Sequence, residues 1–328
     1  MQKPLSVITG ASGHIGYALL LKLLEKGERV RILIRRDLKQ FDGLDCEKVY
    51  GDVTAPGSLE KAFAGADTVY HLAGIIDINN GDDDFVWKVN YEGVKNVVSA
   101  CKNQKVKKLI YASSVDAFEP APDGKVMRET KVFEPDKLEG TYAKTKATAT
   151  NYVFEQCEKE NFPAVVVYPG ACIGPYDYKV SNVGEMVRMC LEGKMPVSVG
   201  FGAYNFVDVR DVADGMILAA EKGKIGDGYI LCGETISTDD FIKTTMRACG
   251  KKQPKMKLGR GLAKAAAPLC EAYYKASKTT PLFTRYSIRK LCSNCNFSID
   301  KAKKELGYSP MSVEQSVKDM VEWIKENE

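Results

Sequence analysis

The stretch VITGASGHIG, residues 7–16, constrains the fold of this chain more than any other. It leads from a β-branched strand into a helical pattern and sets glycines at 10, 13 and 16. Gly10 permits a tight turn, Gly13 lets the backbone approach a pyrophosphate, and Gly16 lets helix and strand pack closely. The helix start then offers free N–H groups and a partial positive charge to the anion. A glycine triad alone means little, but one that separates a strand from a helix is a specific sign of dinucleotide binding. Thr9, Gly10, Ser12, Gly13, His14, Ile15 and Gly16 are the expected cofactor contacts in this loop.

The following segments keep the same rhythm. β-Branched runs at 6–9, 29–34, 47–50, 68–72, 108–112 and 164–168 alternate with helical patterns such as IGYALLLKLLEKG, which stops at Gly27. That alternation predicts the α/β class, a doubly wound parallel sheet of Rossmann type. After residue 170 the rhythm breaks. GPYDYKVSNVG is turn-rich, and from Ser237 the chain reads as helices joined by loops. The expected division is a dinucleotide-binding domain over 1–170 plus 205–233 and a smaller, mainly helical substrate lobe over 171–204 plus 234–328.

Composition narrows the partners. The 328 residues are 45% hydrophobic, ample for a buried core, and 47 basic against 43 acidic side chains leave a net charge of only +4. No nucleic-acid partner is expected from that balance. Lys107-Lys108 and Lys251-Lys252 read as solvated faces. Most of the 10 cysteines sit singly in apolar segments, where they act as small hydrophobes. The one CxxC, Cys292 to Cys295, has no second pair, and the only histidines are His14 and His71, so no metal site is expected. No signal-peptide pattern precedes the first strand, and no apolar run approaches the ~20 residues of a membrane span. The expectation is a cytoplasmic protein with reduced thiols and no membrane partner.

The end of the second strand selects the cofactor. An acidic side chain there bonds the ribose of NAD. VRILIRRD offers Arg35 and Arg36 first, and guanidinium groups suit a 2′-phosphate through charge-assisted bonds. NADP(H) is the preferred expectation, with NAD(H) open because Asp37 could reorient.

A tyrosine and a lysine four apart share one helix face and converge on one point. This spacing occurs at Tyr91/Lys95, Tyr142/Lys146, Tyr274/Lys278 and Tyr286/Lys290. Tyr142/Lys146 alone follows a strand, KLIYA, whose carboxyl end delivers Ser113-Ser114, and ligands bind at such ends of open parallel sheets. A free phenol titrates near 10, and a neighbouring ammonium favours its phenolate. Tyr142 would thus protonate the alkoxide formed by hydride transfer, while Lys146 also bonds the cofactor ribose.

These motifs make the chain resemble an extended short-chain dehydrogenase/reductase, the superfamily of nucleotide-sugar epimerases and dihydroflavonol reductases. The resemblance rests on TGASGHIG, GDV at 51–53, HLAG at 71–74, VNYEG at 89–93, YASS at 111–114, YAKTK at 142–146, YPGACIGPYD at 168–177 and NFVDVRDVADG at 205–215. It implies that Arg35 binds NADPH, that Asp52 and Val53 hold the adenine, and that Leu72, Ala73, Gly74 and Ser113 line the cofactor path. It makes Ser114 the catalytic serine, as the last of its run, and Asn90 the support of a proton relay. Pro169, Gly170 and Ala171 would run beside the nicotinamide. Thr145 stands where relatives carry serine. No Asp-Glu pair follows Ser114, and no asparagine precedes GP at 174–175, so the form is nearer to dihydroflavonol and hydroxysteroid reductases than to sugar-nucleotide enzymes.

The expected reaction interconverts a ketone or aldehyde, apolar or aromatic, and its alcohol. Ser114, Asp116, Met186, Met189, Phe201, Tyr204, Phe283 and Tyr286 are the expected substrate contacts, and the loop 119–140 a cover for the pocket mouth. An epimerase that retains its cofactor is the alternative, and a non-catalytic cofactor sensor the third reading. Relatives dimerise through helices like 82–104 and 141–160, which makes a homodimer the expected assembly.

Overall fold

The computed structural model describes residues 3–76, 83–122, 124–277 and 284–327. Among them the chain alternates β1 (Leu5–Thr9), α1 (His14–Glu25), β2 (Arg29–Ile34), β3 (Glu47–Tyr50), α2 (Pro56–Phe63) and β4 (Thr68–His71). Next come α3 (Asp83–Trp87), α4 (Gly93–Asn103), β5 (Lys108–Ala112), α5 (Thr141–Glu160) and β6 (Ala164–Pro169). The remainder holds β7 (Ala171–Ile173), α6 (Asn182–Leu191), β8 (Val197–Val199), β9 (Ala203–Asp208), α7 (Val209–Lys222), β10 (Gly228–Leu231) and β11 (Glu234–Ser237). It closes with α8 (Thr238–Ala248), β12 (Met256–Leu258), α9 (Arg260–Ser277), α10 (Arg285–Leu291), α11 (Asp300–Leu306) and α12 (Val313–Asn327).

Seven strands form one parallel sheet in the order β10-β6-β5-β4-β1-β2-β3. β1 and β6 are buried along their whole length, as strands covered on both faces must be. One face packs on Val97, Val98, Val153 and Phe162, and the other on Leu19, Leu20, Val212 and Met216. The order reverses beside β1, between β2 and β4, which opens a crevice at the carboxyl ends of β1 and β4.

The second lobe is built on a three-stranded sheet, β11-β9-β7, with β9 parallel to β7 and antiparallel to β11. Its core joins Ile173, Phe206, Phe241, Val317 and Ile324. β9 belongs to this small sheet, whereas α7 packs on α1 and β10 edges the large one, so the chain crosses between lobes within residues 203–231. Asp208 and Asp319 both hold Arg210, at 2.7 and 2.6 Å, tying α12 to that crossover.

Candidate active site

The glycine loop is shaped by contacts that admit no side chain. Gly10 has φ +79°, and a Cβ there would sit 2.6 Å from the Ala73 nitrogen. At Gly16 a Cβ would lie 2.2 Å from the Gly10 carbonyl oxygen, whereas Gly13 meets only that oxygen at 3.3 Å. α1 starts beyond Gly13 with no side-chain cap and no acidic residue in its first turn. Its leading N–H groups are left for an anion, so the residues fit a dinucleotide pyrophosphate. Gly16→Ala is expected to abolish the fluorescence change induced by a nicotinamide dinucleotide and to lower the Tm, because the added Cβ clashes with the Gly10–Ala11 backbone.

Thr9 is buried, and its hydroxyl lies 2.7 Å from Nδ1 of His71, with the Ala73 N–H 3.4 Å away. Burial first, then the Lys146 charge, pushes the His71 imidazole down to about 3, so the ring is neutral. Leu72 donates its N–H to the Thr9 carbonyl, which aligns the β4 exit with the loop. His14 bonds the Pro175 carbonyl through Nε2 at 2.7 Å, and Ile15 packs against the apolar layer beneath α1.

At the end of β2, Arg35 is 71% exposed and reaches Asp52 at only 3.9 Å. An exposed pair of that length contributes ~0–1 kcal/mol, so it holds the guanidinium only weakly. Asp37 is engaged elsewhere, accepting from the Tyr50 hydroxyl at 2.6 Å and facing Lys48 at 3.6 Å. Asp52 accepts from Thr54, and the Val53 carbonyl from Asn96, at the β3 exit.

Tyr142 and Lys146 lie one turn apart on α5, and both are buried. Lys146 Nζ donates to the Ala112 carbonyl at 2.7 Å and stands 5.1 Å over the Tyr111 ring. Burial lowers its pKa to about 8. Asn90 sits in a π-helical turn, Lys88–Glu92, between α3 and α4. That turn aims its amide at Ile75, with Oδ1 accepting the N–H at 2.8 Å and Nδ2 donating to the carbonyl at 2.9 Å. A Cβ on Gly74 would stand 3.2 Å from Asn90 Oδ1 and 3.6 Å from Lys146 Nζ, so glycine keeps this corner open.

Thr145 serves as the hydroxyl expected beside Tyr142. It is wholly buried, donates to the Tyr142 carbonyl at 2.8 Å and accepts from Asn90 at 3.2 Å. The two serines at the β5 exit differ. Thr150 donates to the Lys146 carbonyl at 2.7 Å, so its one proton is spent and Ser113, 2.7 Å away, must donate to it. Ser114 accepts only the Asp116 N–H, at 3.1 Å, so its own proton has no recorded acceptor among the described residues. Pro169 ends β6 and Ala171 begins β7. Gly170 between them donates to Leu231, and a Cβ there would press on Asn205 and Cys232 at 3.0 Å.

The expected substrate contacts divide. Asp116 ion-pairs Lys290 of α10, two residues past Ser114. Lys290, the lysine of another of the four Tyr–Lys spacings, thus stands at the β5 exit, because the C-terminal chain folds back across the sheet's carboxyl edge. Met186 and Tyr204 pack against the core of the second lobe, Met189 is half-buried on α6, and Phe201 packs on a separate cluster of Ala263, Ala267 and Ile288. Phe283 and the side chain of Tyr286 lie outside the described residues. The loop 119–140 is pinned rather than open: Met127 and Phe297 bridge, Asn294 bonds the Pro122 and Lys125 carbonyls, and Arg128 pairs Asp300.

Lys179 was not anticipated. The segment 174–181 crosses α1 with two non-glycine residues at positive φ, Tyr176 at 74° and Val180 at 46°. Such strain in a β-branched residue persists only where surroundings impose it. Here Tyr17 grips the rings of Tyr176 and Tyr178 at 5.5 and 5.2 Å, and Lys179 Nζ lands 3.2 Å from the Ser12 hydroxyl. Partial desolvation first, then the charges of Arg35 and Arg36, depress the pKa of this exposed lysine. Only the turn-rich composition of GPYDYK hinted at a functional loop.

A family model described as the NAD dependent epimerase/dehydratase family matches residues 6–232. The chain belongs to that family. Within it, the chain is 32% identical to sterol demethylase protein B of Methylococcus capsulatus, over 98% of each chain. It is 29% identical to a 3-beta-hydroxysteroid dehydrogenase of Mycolicibacterium neoaurum, over 93% of this chain and 87% of that one. The crystal structure of gox2253 superposes with a TM-score of 0.86 and 34% identity over 98% of each chain. A dTDP-glucose 4,6-dehydratase of Streptomyces venezuelae with NAD bound shares the fold at a TM-score of 0.78 and 18% identity. The chain is thus an extended short-chain dehydrogenase/reductase, an NAD-dependent type of enzyme acting on CH–OH groups.

Proposed function

We propose that the chain is an NADP-preferring reductase that interconverts an apolar ketone or aldehyde with its alcohol. The observation that carries this reading is the buried Tyr142–Lys146 turn beside Ser114, with Gly74 and Asn90 opening the corner toward the glycine loop. A nicotinamide cofactor held there supplies hydride. Tyr142 protonates the developing alkoxide, Ser114 donates a hydrogen bond to the same oxygen, and the Lys146 ammonium stabilises negative charge on the phenol oxygen. Asn90 orients this corner through Ile75 and Thr145. Relatives named for sterol, hydroxysteroid and dihydroflavonol chemistry support an apolar, multi-ring carbonyl as substrate.

The test is a screen of steroid, aromatic and small aliphatic carbonyls with NADPH and NADH in parallel. Net NADPH oxidation with a ring-containing carbonyl is expected. Turnover of a nucleotide sugar without net cofactor consumption would replace this reading by the epimerase one.

Lys146 also sets the pH profile. Below about 8 it is an ammonium, and above that it is neutral and no longer supports the phenol. kcat/KM for reduction is expected to fall as pH rises through about 8. Lys146→Arg, where active, moves that limb upward. An unchanged limb in Lys146→Arg would assign the titration to another group.

A further inference from the structure

Residues 241–270 contain eight cations, Lys243, Arg247, Lys251, Lys252, Lys255, Lys257, Arg260 and Lys264, and no carboxylate, although the whole chain carries a net charge of only +4. Lys243 and Lys257 are both spent on Asp239, at 2.7 and 2.6 Å. Lys251, Lys252, Lys255, Arg260 and Lys264 are exposed, and no ion pair is recorded for them among the described residues. α9, within this stretch, is apolar on two opposite faces. Ala263 and Ala267 are fully buried against Leu258, Phe201 and Ile288. The outward face carries Leu262, Ala265 and Leu269 at helical spacing, with Leu262 67% and Leu269 76% exposed. Met256, on the strand that leads into α9, is 68% exposed as well.

A helix apolar on both sides is normally buried on both sides. We infer that the outward face of α9 docks on an anionic lipid bilayer, lying in the interface rather than crossing it. No described helix is long and apolar enough to span a membrane. Leucines entering the acyl boundary beside unpaired lysines at headgroup level are the arrangement of an interfacial helix. The excess of exposed cations, Lys251, Lys252, Lys255, Arg260 and Lys264, over the carboxylates beside them decides against a second copy of the chain as occupant, because a two-fold contact would set like charges against each other. This departs from the expectation of no membrane partner, which rested on the lack of a spanning segment.

The experiment is sedimentation of the full-length protein with phosphatidylcholine vesicles, with and without phosphatidylglycerol, at low and high salt. Binding is expected only to the anionic vesicles and is lost at high salt. Replacing Lys251, Lys252 and Lys255 by Gln is expected to weaken partitioning on the order of a hundredfold, about fivefold per lysine. Leu262→Gln with Leu269→Gln is expected to lower partitioning while leaving the circular-dichroism melt and NADPH binding unchanged. Equal binding to neutral and anionic vesicles, or none to either, would overturn the inference. So would a concentration-dependent dimer, seen in analytical ultracentrifugation, that the two leucine substitutions dissolve. None of these readouts depends on turnover, so they stand or fall separately from the proposed reaction.

Discussion

Replacing Tyr142 by Phe is expected to reduce kcat by about 10²–10⁴ while NADPH still binds, since the substitution removes only the proton donor. The ring itself is buried, and Phe keeps its volume, so the Tm should stay within a few degrees of the parent. Ser114→Ala is the companion measurement. It removes one donor to the developing oxyanion and is expected to cost a smaller factor, with the KM for cofactor unchanged. If Tyr142→Phe retained full activity, the proton would come from elsewhere and the mechanism would fall. If it lost cofactor binding too, Tyr142 would be a structural residue rather than an acid. This prediction separates an enzyme from a cofactor sensor, because a sensor would be indifferent to the phenol.

Much of the first lobe is legible because its signals are local. Six β-branched runs become strands β1 to β6 with ends shifted by a residue at most, and β1 and β6, buried along their whole length, tolerate little else. Gly10 and Gly16 are legible for the same reason: no other residue fits their surroundings. Tyr142 is chosen among four pairs by its place after β5, a topological argument rather than a compositional one. What escapes the sequence is created by long-range return of the chain. The strand 203–208 looks like its neighbours yet pairs with β7 and β11, because alternation does not say which sheet a strand joins. Lys290 reaches Asp116 across more than half the chain, and no periodicity records that approach. The π-helical turn that aims Asn90 looks in sequence like uninterrupted α-helix.

Lys179 is the sharpest case of such a return, and it carries the second large prediction. Arg35 and Arg36 follow β2 and Lys179 lies on the strap 174–181, yet the charges of both arginines depress the Lys179 pKa, and Lys179 reaches the Ser12 hydroxyl. Like charges held together cost free energy unless an anion joins them, and Asp37, the carboxylate that would favour a ribose hydroxyl instead, is occupied by Tyr50 and Lys48. A 2′-phosphate relieves the repulsion, with each charge-assisted bond contributing about 1.5–3 kcal/mol. Arg35→Ala and Lys179→Gln are each expected to raise the KM for NADPH by about 10–100-fold and to leave the KM for NADH almost unchanged. The double variant should prefer NADH. Equal losses with both cofactors would mean that Lys179 serves the pyrophosphate or the strap itself. Unchanged kinetics in both single variants would return Arg35 and Lys179 to the solvated surface and favour NAD.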